Sequence, residues 1–190
     1  MTGRRPFLHY SRYLVGLIGF VLIGCNGNSD GDELQAPKTM RLDSVFAAAD
    51  QIPVQYTCEG ENRSPALSWD APPTGTESLA LIVSDPDAPG KPFIHWVLYD
   101  LPPDLRQLPA GLEKQPFLLD GGLQGKNDFN EYGYGGPCPP SGSHRYFFRL
   151  YALDTHLNLP PGTTKTDVVE AMQGHVLAGA ELMGRYQRQR

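Results

Sequence analysis

The chain has 190 residues, 40% of them apolar, and a formal net charge of −5. That is enough for one domain with its own core, and it excludes a disordered chain. The acidic balance argues against nucleic acid and anionic membrane surfaces as partners of the folded part.

The N-terminal segment stands apart. Residues 1–12 carry Arg4, Arg5 and Arg12 and no acid, and Tyr13 to Ile23 is apolar. A basic start followed by a short apolar run is the pattern of an export signal. The run is too short to cross a bilayer as a helix, which needs about 20 residues. It closes on Leu22-Ile23-Gly24-Cys25, which resembles the bacterial lipobox and implies cleavage before Cys25 and acylation of that residue. Residues 1–24 are therefore expected to be a lipoprotein signal peptide, 25–39 a lipidated flexible tether and 40–190 the folded domain. Arg4-Arg5-Pro6-Phe7-Leu8-His9 resembles the twin-arginine motif, so the export route stays open between that system and general secretion. Asn26 is not the Asp of an inner-membrane retention signal, so outer-membrane attachment facing the periplasm is expected. Losing residues 1–24 removes three arginines and no acid, which takes the net charge from −5 to −8. Contact with the membrane should then come from the lipid rather than from surface charge.

Of the three cysteines, lipidation would use Cys25. Cys58 and Cys138 remain, an even pair in an oxidising compartment, and a disulfide between them is expected, with two buried free thiols as the alternative.

Along the rest of the chain, 21 glycines and 18 prolines point to dense turns between short strands and hence to a mainly β fold. Met40 to Phe46 reads as a strand. Ile52 to Thr57 is β-rich and carries Pro53, which suggests an edge strand. Pro65 to Trp69 is a short strand, Ser78 to Ser84 a buried central one, and Phe93 to Leu101 another. Pro102 to Pro140 reads as long ordered loops that could wall a pocket. Arg145 to Leu153 is the most aromatic strand. Helical spacing appears only at the end. Thr164 or Thr166 caps a helix with Val168, Val169 and Met172, which Gly174 breaks. Val176, Leu177, Ala180, Leu182, Met183 and Tyr186 suit a second helix.

The candidate chemistry lies between Asp85 and Tyr146. Asp85 ends a buried strand, with Asp87 in the proline-stiffened turn that follows. His95 opens the next strand, and a Gly/Pro loop holding Gly136 and Pro137 leads into His144 and Tyr146. Asp-Pro-Asp also reads as turn chemistry, and each histidine also reads as a satisfied structural residue. The conjunction at strand ends favours a polar pocket. No His-Glu-x-x-His or Gly-x-Ser-x-Gly motif is present, so no catalytic residue, metal ligand or cofactor is assigned.

The blocks Tyr56-Thr57-Cys58-Glu59-Gly60-Glu61-Asn62, Ser64-Pro65, Leu67 and Trp69, then Asp85-Pro86-Asp87-Ala88-Pro89, His95-Trp96, Gly135-Gly136-Pro137-Cys138-Pro139-Pro140, Gly142, His144-Arg145-Tyr146 and Gly174-His175-Val176-Leu177-Ala178 occur in order. Together they resemble the phosphatidylethanolamine-binding protein family, in its bacterial Raf kinase inhibitor-like branch. The resemblance implies a central antiparallel sheet, a smaller sheet and peripheral helices. It also implies an anion pocket for phosphoryl-type groups at Asp85, His95, Pro137, His144 and Tyr146, with Asp87 supporting the turn and Gly136 offering a backbone amide. Asp85 beside His95 would keep that imidazole protonated and donating. Cys138 between two prolines and the short Gly90–Ile94 loop depart from the eukaryotic pattern. The expected partners are an anionic or phosphorylated small molecule, a membrane through the N-terminal lipid and a possible protein target, with no nucleic acid. Two other functions compete with this binding module: an inhibitor or interaction protein of the protease or kinase type, and a metal-assisted hydrolase using Asp85, Asp87, His95 and His144.

Overall fold

The computed structural model describes residues 1–3 and 34–189. The chain divides into two units, residues 1–32 and 33–190, and every strand and helix described below belongs to the second. The expected signal segment from residue 4 on, Cys25 and the first part of the tether lie outside the described residues.

The longest apolar runs make a five-stranded antiparallel sheet. It is built from β3 (Ser78–Asp85), β4 (Phe93–Leu101), β6 (Leu123–Gln124), β7 (Ser143–Leu153) and β8 (Val176–Gln187), in the order β6-β4-β3-β7-β8. β3 is buried at all eight positions because both faces of the sheet are covered. Leu79, Leu81 and Val83 join a large core with Leu42, Leu67 and Trp69 from a second sheet. That sheet holds β1 (Leu42–Ser44), β2 (Leu67–Trp69) and β5 (Gln107–Leu108), in the order β1-β2-β5. On the opposite face, Ala80, Ile82, Val97 and Tyr99 pack against Val168, Val169 and Met172 of α1 (Lys165–Met172). Thr164 caps α1 by accepting from the Asp167 amide, as its position in the sequence suggests.

Two sequence expectations are corrected. Residues 52–57 form no edge strand. Val54–Tyr56 is a 3-10 turn, with Tyr56 N donating to Pro53 O at 2.9 Å and Thr57 N to Val54 O at 3.0 Å. Pro53 cannot donate to a ladder, but its carbonyl starts the turn. The expected second C-terminal helix is instead β8, paired with β7 from Ser143↔Gln187 to Leu153↔Val176. The apolar residues there satisfy both periods. Ala178, Ala180, Leu182 and Tyr186 are buried while Glu181, Met183 and Arg185 are not. Gly184 settles the choice in space, since a Cβ there would lie 2.6 Å from Ile52 Cγ1 and 2.7 Å from Phe46 Cε2.

Part of the expected tether is also ordered. Leu34 and Ala36 pack against the α1-side core. Gly179 N donates to Pro37 O at 2.8 Å, and Met40 N to Gly179 O at 3.3 Å. Residues 37–40 thus cover the outer edge of β8, supplying partners that an open edge strand would lack.

Candidate functional site

Antiparallel order brings the end of β3 beside the starts of β4 and β7, so Asp85, His95 and His144 meet at one end of the sheet. A register shift sharpens this. Val83 pairs with Trp96 and Ser84 with Ile94, which leaves His95 as the extra residue of a bulge. Such a bulge re-aims a side chain at a sheet margin.

The pairing differs from the sequence expectation. Asp85 Oδ2 accepts from Nδ1 of His144 at 2.7 Å, not from His95. Its other oxygen accepts the Asp87 amide at 2.9 Å. His95 Nδ1 lies 2.6 Å from the Gly135 carbonyl. A carbonyl only accepts, so Nδ1 carries the proton and Nε2 is left as an acceptor while the ring is neutral. Burial is the largest influence on His95 and lowers its pKa; the Gly135 contact and the Asp85 charge oppose this without overcoming it. A neutral His95 therefore replaces the protonated donor expected from the sequence.

Aromatic rings wall this group. His95 stacks edge-on to Tyr146 at 5.2 Å between centroids and to Phe129 at 5.6 Å, and Phe93 lies 5.1 Å away. Phe129 is 43% exposed, so it stands at the margin with solvent. The Tyr146 hydroxyl is buried and makes no well-directed hydrogen bond among the described residues. Burial, and then the charge of nearby Asp85, raise its pKa, so it stays a neutral phenol. Asp85 also acts on this hydroxyl as a hydrogen-bond acceptor, although the contact is not well directed, so a ligand that enters would compete with Asp85 for its one proton.

Asp87 is held by Arg145. Arg145 grips its carboxylate through Nε at 2.9 Å and Nη2 at 2.6 Å, and the Arg145 amide adds a third bond at 2.9 Å. The Arg145 hydrogen bond is the main reason that the Asp87 pKa is lowered. This ties the β3–β4 turn to the start of β7. Both Asp87 oxygens are thereby committed to Arg145. Among the described residues, no group of three His, Cys, Asp or Glu side chains could hold a metal ion.

The Gly/Pro loop is stitched to residues 54–62. Cys58 and Cys138 form a disulfide with Cα atoms 5.4 Å apart, as expected from the cysteine count. Cys58 N donates to Pro137 O at 3.1 Å, and Tyr134 Oη to Tyr56 O at 2.9 Å. The Gly136 amide, expected to face a ligand, instead donates to Asn62 Oδ1 at 2.7 Å. Asn62 sits at φ 54°, a left-handed conformation that Asn tolerates better than most residues. A Cβ on Gly136 would lie 2.5 Å from Tyr56 O and 2.8 Å from Thr57 Cα. Backbone cannot yield as a flexible side chain can. Gly136→Ala is therefore expected to destabilise the folded unit by about 1–3 kcal/mol through overpacking, read as a lower denaturation midpoint. An unchanged midpoint would mean that the two loops do not pack this closely.

Sequence reasoning missed several contributors. Phe93 and Phe129 carried no motif. Asn127, whose Oδ1 accepts from Phe129 N and Glu131 N at 3.0 Å and whose Nδ2 donates to Gly133 O at 2.9 Å, closing the 127–133 loop, was signalled only by the Asn-Asp pair typical of Asx turns. Tyr186, directly across from His144 in the β7–β8 register, was read as helical. Its hydroxyl donates to Glu59 Oε2. Away from this group, a cleft of about 580 Å³ opens beside Met40, Phe46, Asp70 and Glu181, and none of the expected site residues lines it.

The fold and these residues define a class: a two-sheet β protein whose central sheet ends in a buried carboxyl–imidazole pair beside a neutral histidine and a tyrosine. Residues 43–187 match the family described as phosphatidylethanolamine-binding protein. The chain belongs to that family. It is 58% identical over 144 residues to a UPF0098 protein of Methanothermobacter thermautotrophicus, covering 76% of this chain and 95% of that one. A UPF0098 protein of Pyrococcus abyssi is 41% identical over 184 residues, 93% of this chain and 99% of its own. Among solved structures, a phosphatidylethanolamine-binding protein homologue from Chlamydia trachomatis has a TM-score of 0.73 at 42% identity, covering 79% of this chain and 98% of that one. YbcL of E. coli, titled a new member of the mammalian family, has a TM-score of 0.73 at 32% identity, covering 79% and 99%.

Proposed function

We propose that this protein is an exported, lipid-anchored binding module whose Asp85, His95, Pro137, His144 and Tyr146 take the anionic group of a small phosphoryl-type ligand. The observation that carries the reading is the buried Tyr146 hydroxyl with no well-directed hydrogen bond, flanked by two imidazoles whose Nδ1 atoms are already committed. The ligand-side groups are then the Tyr146 hydroxyl and the two Nε2 atoms. Gly136 drops out because Asn62 holds its amide.

Calorimetric titration of the folded unit with inorganic phosphate and O-phosphorylethanolamine tests this. Heat is expected from the wild type and not from His144→Ala. Heat that survives in His144→Ala, or none in either protein, would sink the reading.

The lowered pKa of His95 sets the pH dependence. A neutral Nε2 cannot donate to an anion, so one proton must enter with the ligand, on the ring or on the phosphate. Lower pH supplies that proton. Affinity for phosphate should fall as pH rises from 6 to 8, by up to about tenfold, or 1.4 kcal/mol, per pH unit for a single coupled proton. Affinity that is flat or rises over this range would refute the coupling.

A further inference from the structure

We infer that the Phe129 side chain is the gate of this site: in the free protein its ring lies across Gly135 and walls in His95, and it swings off that seat to let an anion reach the imidazole. The opening half of the inference rests on the anion-binding reading above; the walling half does not.

The groups assigned to the ligand are shut in. His95 is 3% exposed, and His144 and Tyr146 are buried with it. An anion reaches them only if something at the margin moves. Three rings pack on His95, and they differ in freedom. Tyr146 belongs to the large core. Phe93 sits on β4 in register with Asp85, so the sheet fixes its backbone. Phe129 is in a loop and exposed, so one side of its ring already faces water. Its inner side meets Phe93 edge-on at 4.8 Å between centroids and His95 at 5.6 Å.

The seat suits a flat ring. A Cβ on Gly135 would lie 2.4 Å from both Cδ2 and Cε2 of Phe129. The ring therefore rests on the bare α-carbon of the residue whose carbonyl holds His95 Nδ1. The frame under it is stiff. Asp128 N donates to Ile94 O at 2.9 Å, and Asp128 Oδ2 accepts from Ile94 N at 2.9 Å. Asn127 bonds Phe129 N, Glu131 N and Gly133 O, and Lys126 bridges to Tyr132. None of these bonds uses the Phe129 side chain, so the ring can turn while the loop stays in place.

The same ring keeps His95 dry. Burial is the largest influence on that imidazole and disfavours its charged form. The Gly135 carbonyl, Asp85 on β3 and Asp128 in the loop oppose burial, and His144 on β7 acts with it. Tyr146, also on β7, stays a neutral phenol. With the ring aside, water enters while both carboxylates remain, so His95 takes a proton more readily. Opening thus favours the proton that an anion on Nε2 requires.

The test follows the His95 imidazole signals by NMR in the full chain, as wild type, Phe129→Ala and Phe129→Leu. Without ligand, the His95 pKa is expected to be higher in Phe129→Ala than in the wild type. Phe129→Leu should fall between them, because leucine covers the seat in part. Titration with inorganic phosphate is then expected to show faster association in Phe129→Ala. Minor states of this kind hold about 0.1–10% of the population, so removing the gate should quicken association by about tenfold or more. An unchanged His95 titration in folded Phe129→Ala overturns the wall, and unchanged association overturns the gate. If alanine unfolds the protein, Phe129→Leu carries the same two readings. The expected pKa rise with no phosphate binding in any of the three proteins would overturn the anion-binding reading and the gate with it, and would support the wall.

Discussion

Asp85→Ala is expected to abolish phosphate binding and to cost about 3–5 kcal/mol of stability, the range for removing one partner of a buried pair. The residue is 4% exposed. Its two oxygens satisfy Nδ1 of His144 and the amide of Asp87. Alanine would leave the buried His144 Nδ1 and the part-buried Asp87 amide without their acceptor and would free the His144 ring to turn. For a folded unit of this size the loss corresponds to a fall in Tm of roughly 10 °C. Asp87→Ala is the control that separates pocket chemistry from turn chemistry. Its partner Arg145 is 47% exposed and Asp87 itself 28%, so the pair is screened by water and its loss should cost about 1 kcal/mol or less. Thermal melts of the two variants, with a phosphate titration of each, check the contrast. Equal losses would show that Asp85 does no more for the site than its neighbour does.

Replacing the disulfide comes next in size. Cys58 and Cys138 are separated by 80 residues in the chain, and closing a loop of that length restricts the unfolded chain by about 4 kcal/mol in the chain-entropy view. The double variant Cys58→Ser/Cys138→Ser should lose most of that in chemical denaturation. Three native-state contacts limit the damage in the folded state: Gly136 to Asn62, Cys58 N to Pro137 O, and Tyr134 to Tyr56. The variant should therefore keep its fold in dilute buffer and still bind phosphate, more weakly. Full stability in the double variant would show that the staple is redundant with those contacts.

Much of the fold was legible because burial writes itself as runs of apolar residues. β4 spans the residues expected of it, and β3 and β7 differ only at their ends. Where one stretch satisfies two periods, the sequence could not choose. Val176 to Gln187 carries apolar residues that fit a helix or a strand, and pairing with β7 decided for the strand. Leu34 and Ala36 fall in the stretch expected to be a tether, and the α1-side core beside β8 gave them a place.

The same division holds at the site. Residue type and order marked Asp85, His95, His144 and Tyr146 as chemistry-bearing groups near strand ends, the family resemblance made them a ligand set, and the even cysteine pair pointed to its own bond, because side-chain type and cysteine count are local signals. Which imidazole pairs with which oxygen, and which amide is already used, depended on contacts between segments far apart in the chain. The bulge at His95 sends its Nδ1 to Gly135, and the strand register gives Asp85 to His144. Asn62 reaches across to Gly136 from 74 residues away. Such bonds are chosen by distance and direction in three dimensions, and only the packed sheet set those.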